Sequence, residues 1–179
     1  RGGHHRGQRL VFEALHARLG DYTINDIQSF TVHSRRNDAT TPDFTLVVYT
    51  VPTGTGDDAS WYHHRLHSVF SWAAPLNAPA LTWNAYSTNA GDNQLQFWDF
   101  RNSNLSAGDQ PNNNFFTLAD MQAGPVQPTG LSTSRDYGAE VVKFFSLSTF
   151  STDMDVNASI DGIELQLKDG RGVTIDFKP

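Results

Sequence analysis

The C-terminal part of this chain alternates apolar and polar residues on both sides of a turn signal. Residues 163–168 alternate, Asp169-Gly170 follows, and residues 173–178 alternate again. A period of two puts successive side chains on opposite faces of a strand, and Asp-Gly between two such runs favours a tight turn. We therefore predict a β-hairpin here, so the fold must contain at least one antiparallel pair of strands.

Three more segments have the composition of strands. Residues 44–51, Phe-Thr-Leu-Val-Val-Tyr-Thr-Val, are apolar on both faces, which is typical of a central strand that is covered on two sides. Residues 29–35 alternate with a period of two, and residues 141–150 are rich in Val, Phe, Ser and Thr. Strands, rather than long helices, account for most of the chain.

One short helix is expected after residue 117. Thr117 can cap it, Asp120 can return a hydrogen bond as in a capping box, and Gly124-Pro125 ends it. Eight or nine short strands with one short helix predict an all-β fold, an antiparallel β-sandwich that is jelly-roll-like. Residues 1–8 lack periodicity and are predicted to form a flexible tail, and residues 9–179 a single domain.

Composition excludes several classes of partner. The 179 residues carry a net charge of -6, and the thirteen Lys and Arg are scattered, which argues against nucleic acid. No apolar run approaches the length of a membrane span, and the absence of Cys removes disulfides and thiolate chemistry. The many Thr, Ser, Asn and Gly residues, with 12% aromatics and few Lys, favour a secreted, extracellular protein.

Four segments, taken in order, resemble a class of secreted bacterial proteins. They are residues 26–32, residues 44–51, the stretch Asp57-Asp-Ala-Ser-Trp-Tyr62, and the stretch Ile160-Asp-Gly-Ile-Glu-Leu165. Together they are similar to jelly-roll β-sandwich domains that resemble carbohydrate-binding modules. The resemblance implies a sandwich outside the cell with a role in glycan binding, adhesion or assembly, and it implies no catalytic residues.

Aromatic residues in the middle of the chain suggest where a sugar would bind. Residues 81–87 and 94–100 predict a second hairpin, and on its more polar face alternation groups amides with aromatic rings. Sugar rings stack on aromatic faces while amides bind their hydroxyls. The predicted ligand-binding patch is Asn84, Tyr86, Gln96 and Trp98. Trp83 falls on the opposite face with Leu81 and Ala85, and we expect it in the core.

Residues 153–164 place oxygen-bearing side chains at the spacing of a calcium-binding loop. Ala158 stands where such a loop needs Gly, and the residues that follow alternate as a strand rather than form a helix. The candidate calcium ligands are Asp153, Asp155, Asn157, Asp161 and Glu164. Glu164 is the weakest of them, because the strand pattern puts it on a solvent face. The alternative is a polar loop without metal.

Three functions remain open from the sequence. The first is a non-catalytic extracellular sandwich that recognises carbohydrate or a cell or matrix surface. The second is a self-assembling subunit of a fibre or matrix, a homo-oligomer or filament that exchanges strands through its N-terminal segment. The third is an enzyme that acts on polysaccharides, which would need two facing carboxylates among Glu13, Asp99, Asp136, Glu140 and Glu164.

Overall fold

The computed structural model of the protein describes residues 18–40, 43–51, 65–69, 79–99, 115–125, 135–148 and 157–177. Within these ranges the strands are β1 (Ile27–Arg36), β2 (Thr45–Val51), β3 (Arg65–Val69), β4 (Asn84–Ser87), β5 (Trp98–Asp99), β6 (Val141–Ser148), β7 (Ala158–Leu167) and β8 (Gly172–Asp176). A short helix, α1, spans Leu118–Gln122, and 3-10 turns occupy Ile24–Asp26 and Tyr137–Ala139.

These strands form two antiparallel sheets of four. The first has the order β4-β1-β7-β8 and the second the order β5-β3-β2-β6. The sheets pack face to face, since Phe30 of β1 stacks on Phe145 of β6 with ring centroids 4.8 Å apart. Both rings belong to one hydrophobic core that draws side chains from both sheets. The predicted all-β antiparallel sandwich is confirmed.

Strands β1 and β2 follow the two patterns expected of them. Phe30 and Val32 are buried in the core, and Thr31 and His33, which alternate with them, are only partly covered. In β2, residues 45–48 are all buried, and the strand lies between β3 and β6. A strand with neighbours on both sides and cover on both faces needs a continuous apolar run, which this segment has.

The C-terminal hairpin and the helix are also confirmed. Strands β7 and β8 pair antiparallel through a turn in which Gly170 takes a φ of 89°, a conformation that favours glycine. At α1, the Thr117 hydroxyl accepts a hydrogen bond from the backbone N–H of Asp120. The Asp120 carboxylate accepts one from the backbone N–H of Thr117 in return. Both elements follow from short local signals.

The predicted hairpin between residues 81–87 and 94–100 is wrong. Strand β4 pairs with β1 in the first sheet, whereas β5 pairs with β3 in the second. The backbone groups of Phe97 are bonded instead to Phe116, in both directions at 2.8 Å. Near β4, the Ser87 backbone N–H donates to the carbonyl of Asn93, and its carbonyl accepts from Leu95. The chain therefore crosses between the sheets here, and the two segments face different surroundings.

Several expectations concern residues outside the described ranges, among them the tail at residues 1–8. Among the described residues, no helix is long and apolar enough to cross a membrane.

Candidate functional site

On the outer face of the first sheet, side chains of the paired strands β1 and β4 lie next to each other. Thr31 pairs with Ser87 and His33 with Ala85, and the same register, continued by one pair, brings Arg35 opposite Trp83. The hydroxyl groups of Thr31 and Ser87 lie 3.0 Å apart, which places both side chains on one face. That face points away from the core, since Val32 and its partner Tyr86 are buried on the other side.

Strands β7 and β8 extend this face across the sheet. Glu164 lies opposite Thr31, and Gly162 opposite His33. In the next pair, Thr174 lies opposite Glu164 and Asp176 opposite Gly162. We call this surface the Trp83 face; its residues are Thr31, His33, Arg35, Trp83, Ala85, Ser87, Ser159, Gly162, Glu164, Thr174 and Asp176. Three cross-strand rows of side chains on four strands span roughly 13 Å by 14 Å, from strand rise and strand spacing.

Trp83 is the exposed aromatic ring of this face. Its relative exposure is 47%, and the guanidinium carbon of Arg35 lies over the indole, 5.3 Å from the ring centroid. A cation over an indole is attracted to the ring face, so Arg35 holds the ring in place while leaving much of it in contact with solvent. The expectation that Trp83 lies in the core is wrong.

Asn37 positions Arg35. The Asn37 side-chain oxygen accepts a hydrogen bond of 3.1 Å from Arg35 Nε, and its Nδ2 donates to Ser159 Oγ at 3.0 Å. The amide therefore connects β7 with the guanidinium that stacks on Trp83. An aromatic ring braced in this way loses little conformational freedom when a ligand stacks on it.

In the middle row of the Trp83 face, a polar side chain has a small residue on each side. Ala85 and Gly162 flank His33 on the neighbouring strands, so little side-chain bulk lies beside the imidazole. His33 Nε2 lies 3.8 Å from Glu164 Oε1, with the two side chains 39% and 49% exposed. His33 lies in the row next to Trp83 and Glu164 in the row beyond it, and both side chains remain partly exposed.

Tyr86, predicted to be on the surface, is fully buried, so that part of the prediction is wrong. Its hydroxyl donates to the Asp43 carboxylate at 3.2 Å, and Ser34 Oγ donates to the same oxygen at 2.8 Å. Burial raises the pKa of Asp43, against the opposing effect of these hydrogen bonds. Burial, together with the nearby Asp43 carboxyl, raises the pKa of Tyr86 as well. The buried Asp43 carboxyl accepts a hydrogen bond from the Tyr86 hydroxyl, and this bond explains how the polar group of Tyr86 is accommodated in the core.

Trp98 is also buried, at 6% exposure, and lies in the other sheet. Its ring centroid is 5.3 Å from that of His67 and 6.0 Å from that of Phe115. Gln96 is half-buried, and the Asn84 amide donates to the carbonyls of Pro79 and Thr82. The four residues of the predicted patch are therefore not brought together, and its two aromatic rings are not exposed.

The calcium-loop residues that the structure describes do not converge. Residues 158–164 belong to β7, so the side chains of Asn157 and Glu164 stand roughly 20 Å apart along an extended strand. Asp161 is the extra residue of a β-bulge, since His33 pairs with Gly162 and Ser34 with Ile160. Asn157 Oδ1 accepts from Asn37 at 3.3 Å.

One ion cannot contact Asn157 and Glu164 together. Asp153 and Asp155 lie outside the described residues, so calcium binding near them stays a prediction. Within the described ranges, no group of three or more His, Asp or Glu side chains could hold a metal ion.

Sequence reasoning missed the Trp83 face because it assigned the faces of β4 the wrong way round. The usable signal lies in β1, where Phe30 and Val32 mark the buried side and His33 and Arg35 the outer side. Pairing β4 with β1 would have placed Trp83 beside Arg35.

Comparisons of the chain with protein-family models, with curated proteins and with solved structures found no match. Function is therefore inferred from this face.

Proposed function

We propose that the protein is a carbohydrate-binding β-sandwich that takes its ligand on the Trp83 face. The observation that carries the proposal is the half-exposed Trp83 indole, braced by Arg35 and bordered by hydrogen-bonding side chains. A sugar ring presents C–H groups to an aromatic face and hydroxyls at its rim, and such a ligand needs both kinds of contact. A shallow, open sheet face suits an extended chain of sugars better than a small enclosed metabolite.

The polar groups for the hydroxyls come from the neighbouring strands. Glu164 is an acceptor, while His33 and Thr174 each offer a donor and an acceptor. His33 projects from the row next to Trp83, and Glu164 and Thr174 project from the row beyond it, roughly 13 Å along the strands from the row of Trp83. In this proposal the protein acts outside the cell, without catalysis, as a recognition module for a glycan or a glycan-bearing surface.

The test is binding of Trp83→Ala to an array of poly- and oligosaccharides, compared with the unchanged protein. Val51→Ala is the matched control, because Val51 is an apolar residue with 39% exposure on the other sheet. We expect the protein to bind at least one glycan, Trp83→Ala to lose that binding, and Val51→Ala to keep it. A protein that binds no glycan, or whose binding survives Trp83→Ala, would contradict the proposal.

A further inference from the structure

We infer that Arg35 recognises a carboxylate or sulfate group on a glycan that stacks on Trp83, so that the Trp83 face binds acidic glycans more tightly than neutral ones. This inference rests on the proposed function, since it names the class of ligand for the same face. It follows from the hydrogen-bond donors that Arg35 leaves open and from the position of its charge beside the exposed ring.

The guanidinium of Arg35 is held in place by contacts that use only part of its donors. Its Nε donates to Asn37 Oδ1 at 3.1 Å, and Asn37 is tied to β7 through a 3.0 Å hydrogen bond to Ser159 Oγ. The guanidinium carbon lies 5.3 Å from the centroid of the Trp83 ring, and a cation over an indole is attracted through its charge rather than through its N–H groups. These contacts fix the orientation of the group without engaging its terminal nitrogens.

The terminal nitrogens of Arg35, Nη1 and Nη2, are available to a ligand. Within the described part of the chain they have no hydrogen-bond or ion-pair partner. Neither atom is among the buried side-chain nitrogens that lack a partner there, so both contact solvent. The N–H donors of a guanidinium form a planar fork that matches the paired oxygens of a carboxylate or sulfate. An oriented fork with open donors is therefore suited to an anionic group.

Arg35 stands in the same cross-strand row as Trp83. The row runs from Trp83 on β4 to Arg35 on β1 and Ser159 on β7. Neighbouring strands lie roughly 4.8 Å apart, so an oligosaccharide that lies along the row places the sugar next to the stacked one over Arg35. A carboxylate or sulfate on that sugar then meets the guanidinium directly.

The two carboxylates of the Trp83 face lie farther from the ring than Arg35 does. Glu164 is in the row of Thr31, roughly 13 Å along the strands from the row of Trp83, and Asp176 is on β8, two strands beyond β1. Exposed charges separated by more than the Debye length, about 8 Å at physiological ionic strength, are largely screened from each other. The charge that adjoins the ring is the guanidinium.

The experiment compares acidic and neutral forms of the same oligosaccharide by calorimetric titration. Oligogalacturonates and their methyl esters test a carboxylate, and sulfated and unmodified cello-, xylo-, manno- and malto-oligosaccharides test a sulfate. Physiological ionic strength is used, because it screens the net charge of -6 on the chain, which opposes an acidic ligand at long range. We expect at least one acidic form to bind at least about tenfold more tightly than its neutral counterpart, as a charge-assisted hydrogen bond would give. Both forms should lose binding in Trp83→Ala.

Arg35→Lys separates recognition by the fork from bracing of the ring. The ammonium keeps a positive charge that can lie over the indole, but it lacks the planar fork. Affinity for the acidic form should fall about tenfold, while affinity for the neutral form should stay the same. Arg35→Gln, which carries no charge, should close the gap between the two forms. Lys143→Gln is the control, since Lys143 is an exposed cation on β6 of the other sheet, and it should change neither affinity.

Two results would overturn the inference while leaving the proposed function intact. One is a set of titrations in which no acidic form binds more tightly than its neutral counterpart, although glycan binding still depends on Trp83. The other is an equal loss of affinity for both forms in Arg35→Lys, which would mean that Arg35 only braces the ring. Absence of any binding that depends on Trp83 would instead contradict the proposed function itself.

Discussion

The outer faces of the two sheets differ, although each carries a tryptophan within the described ranges. Trp83 on the first sheet is 47% exposed, whereas Trp98 on the second is 6% exposed. On the second sheet, Val47 and His67 lie on the same side as Trp98 and are buried too, and Tyr49 stacks on Phe144 with centroids 4.1 Å apart. A tryptophan on a sheet face is a binding platform only where the rest of that face stays open.

The sequence patterns of the strands reflect this difference. Strands β1 and β7 alternate, so they bury one side and present polar groups on the other. Strand β2 is apolar on both sides, and its residues 45–48 are buried on both. A sheet with one solvated face produces alternation, and a sheet covered on two faces produces continuous apolar runs. The pattern of a strand thus indicates which sheet leaves one face open to solvent, but it does not identify the residues on that face.

The largest expected effect is on stability. Trp98→Ala should reduce the free energy of unfolding by about 3–5 kcal/mol, because it removes a buried ring and leaves a cavity. Trp83→Ala should cost about 1 kcal/mol or less, from the exposed ring and its contact with Arg35. Urea denaturation of both variants measures the two values. Equal losses would show that the two faces are covered to the same extent, contrary to this account.

An intermediate effect is expected from the carboxyl buried on the inner side of the first sheet. Since burial raises the pKa of Asp43, the folded protein retains that proton to higher pH than the unfolded chain does. Stability from this group is fully present below the ordinary value of 3.8 and is lost as pH rises through the folded pKa. Asp43→Asn has no such proton to lose.

The stability of Asp43→Asn relative to the unchanged protein should therefore increase from pH 4 to pH 7. Urea denaturation at several pH values within this range measures it. Ser34 and Tyr86 can still donate to the amide oxygen that the substitution introduces, so the fold should persist. A difference that stays constant across the pH range would mean that Asp43 titrates normally.

The smallest effect concerns the residue that begins the turn into β4. Leu81 has a φ of 64°, in the left-handed region that is costly for a leucine, and its side chain is 69% exposed. Leu81→Gly should relieve this strain and raise the free energy of unfolding by up to about 1 kcal/mol. Thermal denaturation measures the change. Leu81→Ala is the control, since it shortens the side chain but keeps the strain; a gain as large in Ala as in Gly would refute the strain argument.

The elements predicted correctly are those set by neighbouring residues. The β7–β8 hairpin is fixed by alternation around Asp169-Gly170, and α1 by its capping box at Thr117 and Asp120. The error at residues 81–100 has a different origin. Which strand β4 pairs with depends on contacts distant in sequence, such as the hydrogen bond from Phe30 N–H to Thr88 Oγ1. No local signal encodes that contact.

The same limit explains the reversed faces of β4. A period of two shows that Trp83 and Tyr86 lie on opposite sides of the strand, but it does not tell which side meets the core. Tyr86 shares its side of the strand with Thr82 and Asn84, which favours a surface position when the sequence is considered alone. The residue is buried because Asp43, forty-three positions away in the chain, supplies an acceptor inside the core. The candidate face could therefore not be located before the pairing of the strands was known.

The central claim is that Trp83, and not Trp98, meets the ligand. The most direct measurement is a titration of the 15N-labelled protein with cello-, xylo-, manno- and malto-oligosaccharides, following the indole N–H signals of its four tryptophans. Trp83→Phe and Trp98→Phe assign the two signals of interest. We predict that the Trp83 signal shifts to saturation while the Trp98 signal does not move. A shift at Trp98 with Trp83 unchanged, or no shift at Trp83 with any glycan, would contradict the account.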